Sequence, residues 1–347
     1  MVDAPYQHWP PGLHRISLSR WVDEEGQDVE DPETLERLRS LAIPPAWEHV
    51  WASEDPTARV QARGMDARGR IQYRYSPAAK AESARNRFAH MLDFAQRLPN
   101  LREDVQRQLR RRPAAPDSAQ VVALAVRLLD LGLFRVGTAR YTRDNNTHGL
   151  TTLRARHVTV DRDVIFFDYV GKEHVRQLRS VEDRRAATIM TRLLACGGAR
   201  EDDLVFRSCL PPRQRVDSAS VNSYIHAVCG ASASAKVFRT WGATVVAAAV
   251  SAGATFPFGK THRDPKLTAY DAAAHVLGNT ATMARTSYVH PTSVTLGEHE
   301  GLRLAVQEAA QRRGCDSVHK IFVDEALQQA VLSALLEAEN LGVTAGS

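Results

Sequence analysis

The dipeptide Ser76-Pro77 separates two kinds of pattern, and this change constrains the fold more than any other feature of the chain. Before it, tryptophans, prolines and short β-prone runs predominate: Leu13 to Trp21, His49 to Ala52, Arg59 to Ala62 and Arg70 to Tyr75. Runs of that length and composition build a small sheet. One helix is expected among them, over Pro32 to Leu41, with Asp31 placed to cap it and Pro32 in the first turn, where a missing N–H is no loss. After Ser76-Pro77, apolar residues recur three and four apart over Ala81 to Gln96 and Ala119 to Leu131, the spacing that lines one face of a helix.

Helical patterns continue over Glu182 to Ala195, Ser218 to Val228, Val237 to Ser251, Pro265 to Leu277, Glu300 to Arg313 and Val318 to Leu341. Asp264-Pro265 supplies a cap and a first turn, and Gly278 can close the same helix in the left-handed conformation. One β insert interrupts the series from His157 to Leu178. Its runs, Val158 to Val160, Val164 to Val170 and Val175 to Leu178, are separated by Asp161-Arg-Asp163 and Gly171-Lys-Glu-His174, so a three-stranded meander with Lys172 on an exposed hairpin tip is expected. The tail from Gly342 to Ser347 is expected to fray. A chain of 347 residues is long for one core. The expected fold is therefore α+β: a small β-rich N-terminal domain over 1–85 and a larger, mainly α-helical domain with the three-stranded insert over 86–347.

Of the 45 basic residues only six are lysines, so arginine carries the positive side of a net charge of +5. The planar guanidinium fork suits bidentate phosphate contact and fits a nucleic-acid partner, although the codon bias of a GC-rich genome gives the same excess. Cys196, Cys209, Cys229 and Cys315 lie far apart with no metal-ligand spacing, so neither a metal site nor a disulfide framework is expected. Thr240 to Gly259 is uncharged, but its Ala, Thr, Ser and Gly content and its Phe-Pro-Phe-Gly end indicate a buried helix and loop rather than a membrane span. The opening MVDAPYQHWPPG lacks the basic and apolar regions of a signal peptide. A soluble protein of the bacterial cytoplasm, associated with the nucleoid, is the expectation.

Five short motifs follow one another: Leu133-Phe-Arg135-Val-Gly-Thr-Ala-Arg140-Tyr141, Asn146-Thr-His-Gly-Leu150, Val170-Gly-Lys172, Lys236-Val-Phe-Arg239-Thr-Trp-Gly242, and Leu277-Gly-Asn279 with Ala284-Arg-Thr-Ser-Tyr288. Singly, each has an ordinary reading: Arg135 as a helix C-cap, Tyr288 as a packing residue, Lys172 as a solvated turn. In this order and spacing they resemble the type IB DNA topoisomerases of the poxvirus and bacterial branch, over residues 130 to 291.

The resemblance implies the reaction and the roles. Tyr288 would attack the scissile phosphorus and form a 3′-phosphotyrosyl link. Arg135 and Arg239 would grip the non-bridging oxygens, Asn279 would add a hydrogen bond, and Lys172 would protonate the leaving 5′-oxygen. Poxvirus enzymes usually carry histidine where this chain has Asn279, which leaves a neutral donor but no acid–base group. Neither a cofactor nor a metal is implied: no acidic cluster stands out, and guanidinium and amide donors would take over charge stabilisation.

Gly69-Arg-Ile-Gln72-Tyr73-Arg-Tyr75 similarly resembles the strand with which the family's N-terminal domain touches DNA, implying contacts from Gln72, Tyr73 and Tyr75. Interleaved Tyr and Arg suit that use, while a solvated edge strand is the plain alternative. Arg110-Arg-Arg112 is read as a solvated helix end. Double-stranded DNA is the expected partner, gripped by a monomeric clamp.

Tyrosine recombinases share the chemistry but typically carry histidine three residues before the second arginine; here Lys236 occupies it, as a second proton donor or a DNA contact. A catalytically inactive DNA-binding protein on the same scaffold is the other alternative, opposed by the intact set of five residues.

Overall fold

The computed structural model describes residues 9–196, 200–258 and 262–341. Gly342 to Ser347 and the first eight residues lie outside that set. The chain divides into two compact units, Met1–Arg87 and Phe88–Ser347.

The first unit is built on an antiparallel five-stranded sheet in the order β2-β1-β3-β4-β5, with β1 at Leu13–Arg15, β2 at Trp21–Val22, β3 at Glu48–Ala52, β4 at Val60–Met65 and β5 at Ile71–Tyr75. The single run expected from Leu13 to Trp21 is thus two strands folded back on each other, with Arg15 paired to Trp21. Helix α1, Pro32–Ser40, starts where Asp31 accepts a hydrogen bond from the Thr34 N–H. Leu38 of α1 packs with Leu13, Trp21, Val50, Ala52 and Ala62 as the core of this unit.

The long helix α2, Pro77–Arg110, runs past its expected end and through Pro99. An internal proline costs about 3 kcal/mol. Against this, Met91, Phe94, Leu98, Leu101, Val105 and Leu109 are all buried, so one apolar stripe continues across the break. Fully burying a side chain of this kind contributes roughly 1.5–3 kcal/mol, which explains why the helix does not stop.

In the second unit, α3 (Ser118–Gly132) leads into α4 (Ala139–Asn145), and the meander follows as β6 (Val158–Asp161), β7 (Val164–Val170) and β8 (Arg176–Glu182). Glu182 ends β8 rather than opening a helix, because Asp183 caps α5, Arg184–Leu194, by accepting from Ala186 N–H. Next come α6 (Ser218–Cys229), α7 (Ala235–Ser251), α8 (Pro265–Leu277), α9 (Ala281–Ser287) and α10 (Glu300–Arg313). The run expected from Val318 to Leu341 breaks into α11, Val318–Ile321, and α12, Glu325–Asn340. Asp324 causes the break: it caps α12 at Leu327 N–H and takes a bidentate pair from Arg312 of α10.

Helix α7 is the centre of the unit. Val237, Phe238, Trp241, Val245 and Val246 are all buried on it, so it is enclosed on nearly every side. That burial accounts for the uncharged stretch of sequence; no helix among the described residues is long and apolar enough to cross a membrane. One expectation is corrected here. Cys196 and Cys209 are joined as a disulfide with Cα atoms 5.9 Å apart, a pairing that a separation of 13 residues without a Cys motif did not reveal.

Candidate active site

Arg135 owes its place to the end of α3. Leu133 closes that helix in the left-handed conformation, φ 50° and ψ 38°, at a cost of roughly 1–2 kcal/mol for a residue with a side chain. The cost is offset by packing. Leu133 is buried against Gly242 of α7, where an added Cβ would lie 2.5 Å from Leu133 Cδ2. Gly242, the last residue of the Lys236 motif, therefore lets the end of α3 reach α7, and α7 carries Arg239. The Asn146-Thr-His-Gly-Leu150 motif supports the same point: Leu150 N–H donates to the Arg135 carbonyl at 2.8 Å and Thr151 N–H to that of Val136 at 2.8 Å.

Asn279 is placed by the other expected cap. Gly278 turns left-handed at the end of α8, φ 62°, and Asn279 N–H then donates to the Ala274 carbonyl at 2.9 Å. Its side-chain oxygen accepts a short hydrogen bond from Arg135 Nη2 and lies 3.4 Å from Arg239 Nη2. Arg239, only 2% exposed, also donates to the carbonyls of Leu133 at 2.5 Å and Leu277 at 3.0 Å. The ends of α3 and α8 are thus joined by one buried guanidinium. Two donors in this cluster, Arg239 Nε and Asn279 Nδ2, are buried without a hydrogen-bond partner. Buried donors are nearly always satisfied in folded proteins, so such a pair points to an acceptor brought from outside.

Tyr288 completes the cluster at the end of α9. Its ring centroid lies 5.3 Å from the Arg239 guanidinium carbon. Burial pushes the phenol up, but Arg239, then Arg135 and Lys236, outweigh it and hold the group below the usual tyrosine range. Burial and the neighbouring Arg135 charge in turn draw Arg239 down. The backbone of Tyr288 is fixed from α7: Thr244 Oγ1 accepts from His290 N–H at 3.1 Å and lies 3.4 Å from the Tyr288 carbonyl oxygen.

Lys172 makes no hydrogen bond to any of these four residues among the described ones. It lies on the turn between β7 and β8, half-exposed, with Nζ 3.7 Å from Glu173 Oε1. Glu173 and His174 after it are both left-handed, φ 64° and 59°. Lys236 is exposed on α7, three residues before Arg239. Chemically, Arg135, Arg239 and Asn279 form a cationic donor cluster for a tetrahedral anion, with a phenol beside it.

A family model described as the catalytic core of eukaryotic DNA topoisomerase I matches residues 76–295, more than half of the chain, and all five of these residues lie within the match. The chain belongs to the type IB DNA topoisomerase family. A second model, for the N-terminal domain of bacterial DNA topoisomerase IB, matches residues 19–66. DNA topoisomerase 1B of Acanthamoeba polyphaga mimivirus is 28% identical over 265 residues, 74% of this chain and 77% of that protein. DNA topoisomerase 1B of Vaccinia virus (strain Copenhagen) is 26% identical over 154 residues, 42% of this chain and 47% of that protein. DNA topoisomerase 1 of Schizosaccharomyces pombe is 29% identical over 121 residues, 35% of this chain and 14% of that protein. The chain is therefore an enzyme of the type IB topoisomerase class.

In the N-terminal unit of this topoisomerase, Tyr73 and Tyr75 share an exposed face of β5 with their rings stacked 6.0 Å apart. Tyr73 pairs across the sheet with Arg63, whose guanidinium lies 4.6 Å from the rings of both Trp9 and Trp51. Gln72 points to the other face, where its Nε2 donates to Asp66 at 2.9 Å. The strand thus brings the two tyrosines together and sets Gln72 apart. Thr244 and Arg179, which hold the backbone around this cluster, carry no sequence signal: the residues they bond, Tyr288 and His290 for Thr244 and Gly132 and Val276 for Arg179, lie tens of residues away.

Proposed function

We propose that the chain relaxes supercoiled duplex DNA by cutting and resealing one strand through Tyr288. The observation that carries this reading is the Arg239–Asn279–Tyr288 cluster, in which a phenol biased toward ionisation lies beside two buried donors that lack partners. The Tyr288 oxygen forms a bond to the scissile phosphorus as the bond to the 5′-oxygen breaks. The phenolic proton leaves to solvent, and Lys172 gives its proton to the departing 5′-oxygen. Arg135, Arg239 and Asn279 hold the non-bridging oxygens and bind the more highly charged transition state better than the ground state. Lys172 reaches the 5′-oxygen from the turn between β7 and β8, an element separate from those that carry the other four residues.

The phosphotyrosyl diester conserves the energy of the bond it replaces. Rotation of the free 5′ end between the two steps relaxes supercoils of either sign, and resealing needs no ATP. The arginines supply the charge stabilisation that a metal supplies elsewhere, so turnover is expected in EDTA. The N-terminal domain, 1–85, adds duplex contacts through Tyr73 and Tyr75, with Gln72 joining once it leaves Asp66, and Lys236 contacts the backbone near the cut. The larger domain, 86–347, carries the chemistry, and the protein works as a monomer in the bacterial cytoplasm.

The test is relaxation of negatively and positively supercoiled plasmid in EDTA without ATP, with a denaturing gel to trap the covalent complex. Relaxation of both signs, with protein on the 3′ end, supports the reading. Covalent attachment at one particular sequence without relaxation favours a recombinase and overturns it.

A further inference from the structure

Gly171 immediately precedes Lys172, Gly278 immediately precedes Asn279, and one side chain lies against both glycines: Gln177 of β8. A Cβ added at Gly171 would lie 2.9 Å from Gln177 Cγ, and one added at Gly278 would lie 2.7 Å from Gln177 Oε1. Gln177 is 6% exposed. It is held in turn by Arg179, whose Nη2 donates to Gln177 Oε1 at 3.1 Å.

Arg179 has a second task. Its Nη1 donates to the carbonyls of Gly132 at 3.1 Å and Val276 at 2.8 Å. Arg239 makes the equivalent bonds one residue further on, to Leu133 and Leu277. The two guanidiniums form parallel rungs between the ends of α3 and α8, where exposed carbonyls favour a cation. Arg179, however, makes no hydrogen bond to Arg135, Asn279 or Tyr288 among the described residues. The rung it forms ends on Gln177.

We propose that Gln177, fixed by Arg179, is a positioning residue that sets the Lys172 hairpin against the Asn279 turn, so that the proton donor and the Asn279 amide meet one scissile phosphate together. This rests on the reading of Lys172 as the donor to the 5′-oxygen. Gln177 touches no reacting atom. Its effect travels through the base of the hairpin, where Gly171 N–H donates to the Val175 carbonyl at 2.9 Å, and through Gly278, whose φ of 62° a larger residue would strain.

The test is single-turnover cleavage of a duplex oligonucleotide carrying either oxygen or sulfur at the 5′ bridging position. A thiolate leaves without a proton, so the sulfur substrate bypasses the proton donor. Gln177→Ala removes both contacts, and a misplacement of about 1 Å is expected to slow cleavage of the oxygen substrate about 100-fold. DNA affinity should be unchanged, and most of the loss should vanish on the sulfur substrate. Gln177→Glu keeps both contacts and the bond from Arg179, and should cleave at close to the wild-type rate. Wild-type cleavage of the oxygen substrate by Gln177→Ala overturns the proposal, as does an equal loss on both substrates. Lys172→Ala distinguishes the underlying failure: if sulfur does not rescue it, Lys172 is not the proton donor and the coupling falls with it. If sulfur rescues Lys172→Ala but not Gln177→Ala, the donor stands and the coupling alone is wrong.

Discussion

The Arg239 guanidinium lies over the ring of Tyr288, 5.3 Å from its centroid, and is itself pinned to the ends of two helices through Leu133 and Leu277. A cation held so rigidly cannot follow its partner, so the phenol experiences a fixed field. That field, reinforced by Arg135 and Lys236, outweighs the burial that would otherwise raise the phenol. The sign follows directly: the bias favours the ionised phenol, and removing a cation must move ionisation to higher pH. Arg239→Gln is expected to shift the rising limb of the cleavage-rate profile to more alkaline pH and to lower its plateau about 10²–10³-fold, the usual loss of one transition-state donor. Single-turnover rates from pH 6 to 10 measure both. A lowered plateau with an unmoved limb would mean that Arg239 binds phosphate without tuning Tyr288.

Tyr288→Phe tests the proposed nucleophile apart from the scaffold. The ring still packs beneath Arg239, but no oxygen can join phosphorus. Covalent product and relaxation should disappear, while duplex binding stays within about threefold of wild type and weakens steeply with salt, because phosphate contacts dominate affinity. Gel shifts at two salt concentrations together with plasmid relaxation check this; any residual relaxation would place the nucleophile elsewhere.

Asn279 has two faces, an oxygen that accepts from Arg135 and Arg239 and an Nδ2 without a partner. Asn279→Asp keeps the first and replaces the second with a negative oxygen. It should hold both arginines more firmly and repel the phosphate, costing about 10²–10³-fold in cleavage. Asn279→His retains a neutral donor and should lose far less. If Asp and His variants cleave equally well, the Asn279 amide does not face the phosphate.

Much of this architecture is legible locally. Asp264, Pro265 and Gly278 mark both ends of α8, Asp31 and Pro32 mark the start of α1, and the meander follows from two polar turns between β-branched runs. These signals are short-range, because a cap or turn acts within four residues. What escaped is long-range. Pro99 would end a helix in isolation but does not end α2, because the buried stripe on either side outweighs it. Arg179 reads as one more basic residue on a strand until its bonds to Gly132 and Val276 are known, 47 and 97 residues distant. Lys172 is the reverse case: its motif is clear, while the Gln177 side chain that lies against both Gly171 and Gly278 joins two turns about a hundred residues apart and leaves no local signal.

A buried network ties α2, α3, α7 and α12. Arg102 makes two bonds of 2.8 Å to Asp130 and a third of 2.8 Å to Gln328, which also accepts from Trp241 Nε1 at 2.9 Å. The Arg102 and Asp130 side chains are 11% and 7% exposed, so removing one partner strands the other charge in the core. Asp130→Ala is expected to cost about 3–5 kcal/mol in urea unfolding. Asp130→Ala with Arg102→Met should recover most of it. A double variant as unstable as the single would trace the loss to packing rather than to the stranded arginine.

His290, two residues beyond Tyr288, links stability to pH. The ring is 6% exposed, its Nδ1 accepts from Thr292 N–H at 3.3 Å, and burial draws it down to about 4 even though Glu339 lies 3.5 Å from Nε2. The folded protein therefore resists the proton that the unfolded chain accepts near 6.5. Its contribution is fully present above that value and is lost as pH falls through about 4, a difference on the order of 3 kcal/mol across the window. His290→Asn keeps an oxygen to cap Thr292 but cannot titrate. It should be less stable than wild type at pH 7, where the ring's packing is lost, yet decline less between pH 7 and pH 4.5. Urea unfolding at those two values decides the matter: parallel declines in both proteins would show that His290 takes up its proton in the fold as readily as in the open chain.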